Sequence, residues 1–124
     1  MTAQRILIID DEKHLVAVIK TCLQKLGGWT VLTAETGQEG LSKANTEQPN
    51  AILLDVMMPD LDGLTVLRKL KENPITQKIP VILLTAKVQS NAQEEYTSLD
   101  LAGVLSKPFD PLQLADQVAK ILRW

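Results

Sequence analysis

Three runs of four apolar residues, at positions 6–9, 51–54 and 81–84, contain no polar residue. A strand with one solvated face alternates apolar and polar side chains, so an unbroken run reads as a strand covered on both faces. That is the condition of a parallel sheet packed between helices. Two weaker runs, at 31–34 and 104–105, bring the set to five.

Between the runs the apolar spacing becomes helical. Leu15, Ile19, Cys22, Leu23 and Leu26 fall on one stripe, which stops at Gly27 and Gly28, residues suited to a left-handed C-terminal cap. Leu114, Val118, Ile121 and Leu122 form another stripe, introduced by Asp110 as N-cap and Pro111 at the first helical position. This last helix is expected to run to the final residue. Shorter helices are predicted over 37–45 and 63–72. Residues 89–101 are polar, with Ala92, Tyr96 and Leu99 to anchor a further helix. The pattern is strand–helix five times over, a doubly wound α/β fold with helices on both faces of a parallel sheet. In such a sheet the ligand site lies beyond the carboxyl ends of the strands, near the point where strand order reverses.

Composition bounds the class. A length of 124 residues fits one domain, 1–124, and five strand–helix units consume all of it. One cysteine excludes an internal disulfide framework. Thirteen basic and fifteen acidic residues give a net charge of −2, which argues against binding DNA by phosphate neutralisation. No apolar run approaches the roughly 18 residues that span a bilayer, and the opening residues do not read as a signal peptide. The expectation is a cytoplasmic protein with no membrane segment.

The chemistry sits at the predicted strand ends. Strand one runs into Asp10, Asp11 and Glu12; strand three ends in Asp55, strand four in Thr85, and strand five in Ser106 and Lys107. A parallel sheet brings all of these to one edge. Each alone has a structural reading: Asp11 as the N-cap of the next helix, Lys107-Pro108 as a turn, Thr85 as a strand terminus. Together they form a site. Two like charges about 4 Å apart repel by roughly 4 kcal/mol at an effective dielectric near 20, so the carboxylates call for a cation. Oxygen donors with no imidazole or thiolate nearby select a hard ion, Mg²⁺ or Mn²⁺. A divalent cation, the Lys107 ammonium and the Thr85 hydroxyl suit a phosphoryl group, with the central Asp55 as acceptor and Asp10 and Asp11 holding the metal.

Four blocks carry a family resemblance: Ile6-Leu7-Ile8-Ile9-Asp10-Asp11-Glu12, Ile52-Leu53-Leu54-Asp55-Val56-Met57-Met58-Pro59-Asp60-Leu61-Asp62-Gly63, Val81-Ile82-Leu83-Leu84-Thr85-Ala86, and Gly103-Val104-Leu105-Ser106-Lys107-Pro108-Phe109. In order and spacing the chain resembles the receiver domains of two-component response regulators, bacterial signalling modules of the chemotaxis type. The resemblance implies a flavodoxin-like sheet of order 2-1-3-4-5. It implies that a histidine kinase or histidine phosphotransfer protein phosphorylates Asp55. Asp11, Asp55 and the Met57 backbone carbonyl would ligate Mg²⁺, and Asp10 would do so mainly through water. Lys107 would pair with the phosphoryl oxygens, Thr85 would move to bond them, and the Lys107–Pro108 peptide would be cis. The output implied is control of a protein partner, with homodimerisation on phosphorylation left open, and no released product, so the chain is not expected to be an enzyme. The family usually carries an aromatic ring three residues before the lysine; here that residue is Val104. Met57 and Lys87 hold positions that tune dephosphorylation in the family.

Competing readings lack their residues. A haloacid-dehalogenase-type enzyme needs an acid two residues after Asp55, where Met57 stands. A flavodoxin-type loop needs Ser, Thr and Gly where Asp10, Asp11 and Glu12 stand. No glycine-rich nucleotide loop occurs. A phosphorylation-independent receiver-like interaction module is the remaining alternative. His14 reads as solvent-facing, Cys22 as a helix-face or core residue, and Arg68, Lys69 and Lys71 as a solvated face. Trp29 is placed at the start of strand two, and Trp124 over an apolar patch beside the last helix.

Overall fold

The computed structural model describes residues 4–56, 58, 60–85, 101–107 and 109–124. In chain order its elements are β1 (Arg5–Ile9), α1 (Lys13–Gly27), β2 (Thr30–Ala34), α2 (Gly37–Glu47), β3 (Ala51–Asp55), α3 (Gly63–Glu72), β4 (Val81–Thr85), β5 (Gly103–Ser106) and α4 (Pro111–Leu122). The helix expected within 89–101 lies outside the described residues, Leu101 apart.

All four strand pairings are parallel, in the order β2-β1-β3-β4-β5. The unbroken apolar runs are the three inner strands. Every residue of β3 and β4 is buried, and so is β1 from Ile6 onward. Alternate residues along each strand serve opposite faces. Ile6, Ile8, Leu53, Ile82 and Leu84 pack with Val16, Ile19 and Leu23 of α1 and with Leu114 and Val118 of α4. Leu7, Ile9, Ile52, Leu54 and Leu83 pack with Ala44 of α2 and with Val66, Leu67 and Leu70 of α3. A sheet sandwiched in this way has no solvated face, which is why its inner strands show no polar alternation. The edge strands β2 and β5 are only partly buried and carry the weaker runs.

The caps follow from the residues at the helix ends. Gly28 adopts φ +72°, a left-handed conformation that a side chain would strain, and its N–H donates to the Gln24 carbonyl. Asp110 caps α4 by accepting the Leu112 N–H at 3.0 Å, with Pro111 opening the helix. The spacing predicts a helix that continues to the last residue, but the structure ends it earlier. It stops at Leu122, where Arg123 turns left-handed at φ 58°. That turn folds Trp124 back onto Trp29, edge to face, with ring centroids 5.0 Å apart. Burying an indole against a second one outweighs another helical residue in water. Trp29 lies one residue before β2 and not within it.

Candidate functional site

The helices after β1 and β3 leave in opposite directions. α1 covers one face with α4, and α3 covers the other with α2. Since β1 and β3 are neighbours, their carboxyl ends open a crevice where the chain parts. Asp10 follows β1 directly, Asp55 closes β3, and both face this crevice edge.

One oxygen each from Asp10, Asp11 and Asp55 lies within 4.8 Å of the others. Asp10 is fully buried and Asp55 is 5% exposed, whereas Asp11 stands at the surface. Lys107, just beyond β5, bridges the two buried acids: its Nζ lies 3.2 Å from Asp10 Oδ2 and 3.3 Å from Asp55 Oδ1. Glu12 Oε1 is 3.9 Å from the same ammonium at the rim. Burial alone would lower the Lys107 pKa, but the Asp10 and Asp55 carboxylates outweigh it and hold the ammonium above the ordinary lysine range. Three clustered carboxylates against one ammonium leave the pocket anionic. Its donors are all oxygens, so the residues present fit a hard divalent cation.

Local bonds fix these groups. Asp10 Oδ1 accepts the Glu12 N–H at 2.9 Å, and the Asp10 N–H donates to the Ala34 carbonyl at 3.0 Å. Glu12, not Asp11, occupies the N-cap of α1, and its side chain makes no capping bond. The capping role read for Asp11 in isolation is therefore wrong: the turn presents Asp11 to the carboxylate cluster instead. Asp55 is set by a close approach. A Cβ on Gly63 would collide with the Asp55 carbonyl oxygen, and the Gly63 N–H donates to the Val56 carbonyl at 2.7 Å. Only glycine lets α3 start so near the end of β3.

Thr85 is buried at the end of β4, paired with Ser106 and one residue beyond Leu84, the register partner of Asp55. Its carbonyl accepts the Lys107 N–H at 2.7 Å, which couples the ends of β4 and β5. Asp10, Asp11, Asp55, Thr85 and Lys107 thus share one sheet edge. Met57, Lys87 and the Lys107–Pro108 peptide lie outside the described residues. Val104 is partly buried on the α3 side of β5. His14 is exposed and Cys22 half-buried. Lys71 is not on a solvated face with Arg68 and Lys69: its ammonium donates to the Gln77 and Ile79 carbonyls.

Two acids in the loop after Asp55 do work that sequence reasoning misses. Asp62 caps α3 by accepting the Thr65 N–H and hydroxyl, bonds that hold its carboxyl below the usual range. Asp60 accepts the Gly37 N–H at 3.0 Å and the Gln38 N–H at 3.1 Å, the first two amides of α2. The Gly37 bond, above all, lowers its pKa. The spacing Asp62-x-x-Thr65 is a readable capping signal. Nothing local marks Asp60, because its partners lie more than twenty residues away.

Comparison with known proteins places this geometry. The response regulator receiver domain family matches residues 6–119. The chain is 37% identical over 120 residues to the alkaline phosphatase synthesis transcriptional regulatory protein PhoP of Bacillus subtilis, covering 97% of this chain and 49% of that protein. It is 38% identical over 120 residues to the response regulator PleD of Caulobacter vibrioides, covering 97% of this chain and 26% of that one. The chain spans half or less of the length of these curated relatives. Among solved structures, chemotaxis response regulator CheY4 of Vibrio cholerae superposes with a TM-score of 0.89 at 27% identity, over 97% of this chain and 99% of that one. The receiver domain of the sensor histidine kinase PA1611 of Pseudomonas aeruginosa superposes at 0.86 with 26% identity, over 99% of this chain and all of that one; it holds a magnesium ion in its active-site cleft.

Proposed function

Since the chain belongs to the response regulator receiver domain family, and is a phosphorelay receiver on that ground, we propose that Asp55 is its phosphoacceptor, served by Mg²⁺, Lys107 and Thr85. The observation that carries this reading is Asp55 itself: a nearly buried carboxylate at the end of a central strand, 3.3 Å from an ammonium and clustered with two further acids.

An Asp55 carboxylate oxygen attacks the phosphorus of a phosphohistidine or small phosphodonor. The new P–O bond forms as the bond to the leaving group breaks, giving an aspartyl-phosphate. Lys107, already placed between Asp10 and Asp55, neutralises charge on the phosphoryl oxygens. The Thr85 hydroxyl donates to one of them and draws the end of β4 inward. Asp10, Asp11 and Asp55 would hold Mg²⁺, with the Met57 carbonyl added by the resemblance; Mn²⁺ suits the same donors. When bound, the ion neutralises the anionic pocket and screens the incoming phosphoryl charge.

The outcome is a charge of about −2 at Asp55 and a new conformation, with no released product. Receivers of this family exchange signals with histidine kinases and downstream targets. For this chain the input is a histidine kinase or phosphotransfer protein, and the output is a protein partner met in the cytoplasm. Among the described residues no helix is long and apolar enough to cross a membrane.

Incubation with acetyl phosphate and Mg²⁺, followed by intact mass measurement, tests the assignment. The wild type should gain one phosphate, and Asp55→Asn should gain none. A wild type that stays unmodified, or an Asp55→Asn variant that still gains mass, would return the chain to the phosphorylation-independent interaction reading.

A further inference from the structure

We propose that Asp60 is a positioning residue that ties the loop after Asp55 to the N-terminus of α2, so that filling the acidic pocket is felt at Gly37 and Gln38. The proposal rests on the reading of the pocket as a Mg²⁺ and phosphoryl site.

The first turn of a helix leaves four N–H groups without helical partners. In α2 the three amides after the N-cap all find acceptors. The Thr36 hydroxyl oxygen accepts from Glu39 at 3.0 Å. The other two, on Gly37 and Gln38, donate to Asp60. Each takes a different carboxylate oxygen, so the pair of bonds fixes both the position and the rotation of the carboxylate. A negative charge is also favoured at a helix N-terminus.

Packing reinforces the tether. A Cβ on Gly37 would come within 2.9 Å of Leu61 Cβ, so the loop lies directly on the α2 backbone. At its base the same loop is pinned by the Gly63 N–H bond to Val56. A segment that begins at the acceptor residue is thus closed at its foot and moored at its far side. Asp60 is not one of the three clustered carboxylates. Its carboxylate is engaged on α2, and through it α2 is tied to residues 60–63 beside the pocket. Coupling of this kind is reciprocal: if pocket occupancy orders the tether, the tether raises affinity in the pocket by the same factor.

Calorimetric Mg²⁺ titration and amide hydrogen exchange test this on the full chain. Asp60→Ala should expose the Gly37 and Gln38 amides to exchange and raise the Mg²⁺ dissociation constant about fivefold, the low end of measured couplings. It should still accept phosphate on Asp55 at saturating Mg²⁺. Asp60→Asn keeps one oxygen acceptor and should fall between. Thr36→Ala removes another cap of the same helix without touching the loop; it should lower the melting temperature and leave Mg²⁺ affinity unchanged. Affinity in Asp60→Ala within about twofold of wild type, or an equal loss in Thr36→Ala, overturns the coupling. A wild type that takes neither Mg²⁺ nor phosphate overturns the underlying reading of the site, and the coupling with it.

Discussion

Lys107 is held by two buried carboxylates and faces a third at the rim, and its charge is what makes their burial tolerable. Removing one partner of a buried ionic cluster leaves the others uncompensated, at a cost of about 3–5 kcal/mol. The lysine side chain is 15% exposed, so Lys107→Met should lose about 3 kcal/mol in metal-free buffer, the low end of that range. The pH profile carries a signature. A lysine whose pKa is raised by folding contributes stability that is complete below the unfolded value, here 10.5, and fades as pH climbs through the higher folded value. Urea unfolding of wild type and Lys107→Met should therefore run parallel from neutral pH up to about pH 10 and converge, on the alkaline side, only above it. Convergence already between pH 8 and 10 would mean that Asp10 and Asp55 do not hold the ammonium in its charged form. The residues of this cluster were readable in the sequence because each ends a strand, and a parallel sheet gathers strand ends. Their charge balance was not readable: sequence places Lys107 near the acids but does not say that it bridges two of them.

At the scale of elements the junction of β3 and α3 decides whether Asp55 is aimed correctly. Gly63 opens α3 against the Asp55 and Val56 backbone, and backbone cannot move aside as a flexible side chain can. Gly63→Ala should push α3 away from the strand end and destabilise the fold by about 2–3 kcal/mol, as overpacking does. Since a misplacement near 1 Å can slow a reaction about a hundredfold, phosphate gain from acetyl phosphate should slow more than tenfold. Denaturant unfolding and timed intact mass measure the two effects. A variant that is phosphorylated at the wild-type rate would show that the close approach does not aim Asp55. Element boundaries divide by the kind of signal that sets them. Asp110-Pro111 and Gly27-Gly28 act on adjacent backbone, and those helix ends fall where the sequence puts them. The end of α2 falls two residues past the predicted 45, because Thr46 and Glu47 extend the helix without adding to its apolar stripe. Asp11 shows the opposite failure. Its type fits a cap, but the chain advances one residue further and Glu12 takes the position.

The whole molecule separates two ends of one sheet. The acids gather at the carboxyl ends of the strands, while Trp29 and Trp124 stack beyond the opposite end, where Thr30 pairs with Arg5. A five-residue strand at about 3.3 Å per residue puts roughly 16 Å between these levels. That separation follows from a parallel topology, and was legible once the strands were. The indole pair itself was not, since it depends on α4 stopping short and Arg123 turning left-handed. Sites farther apart than about 10 Å with no shared partner contribute to stability additively. Mg²⁺ titration should accordingly leave tryptophan emission unchanged, while urea unfolding, which parts the two rings, should change it strongly. Trp124→Ala should cost about 1–3 kcal/mol through lost burial and the edge-to-face contact. The stabilisation that Mg²⁺ confers should be the same in that variant as in wild type, because it depends on the pocket alone. Strong quenching by Mg²⁺, or a Mg²⁺ effect that shrinks in Trp124→Ala, would show that the two ends of the sheet communicate and that a signal at Asp55 reaches the face where α1 and α4 meet.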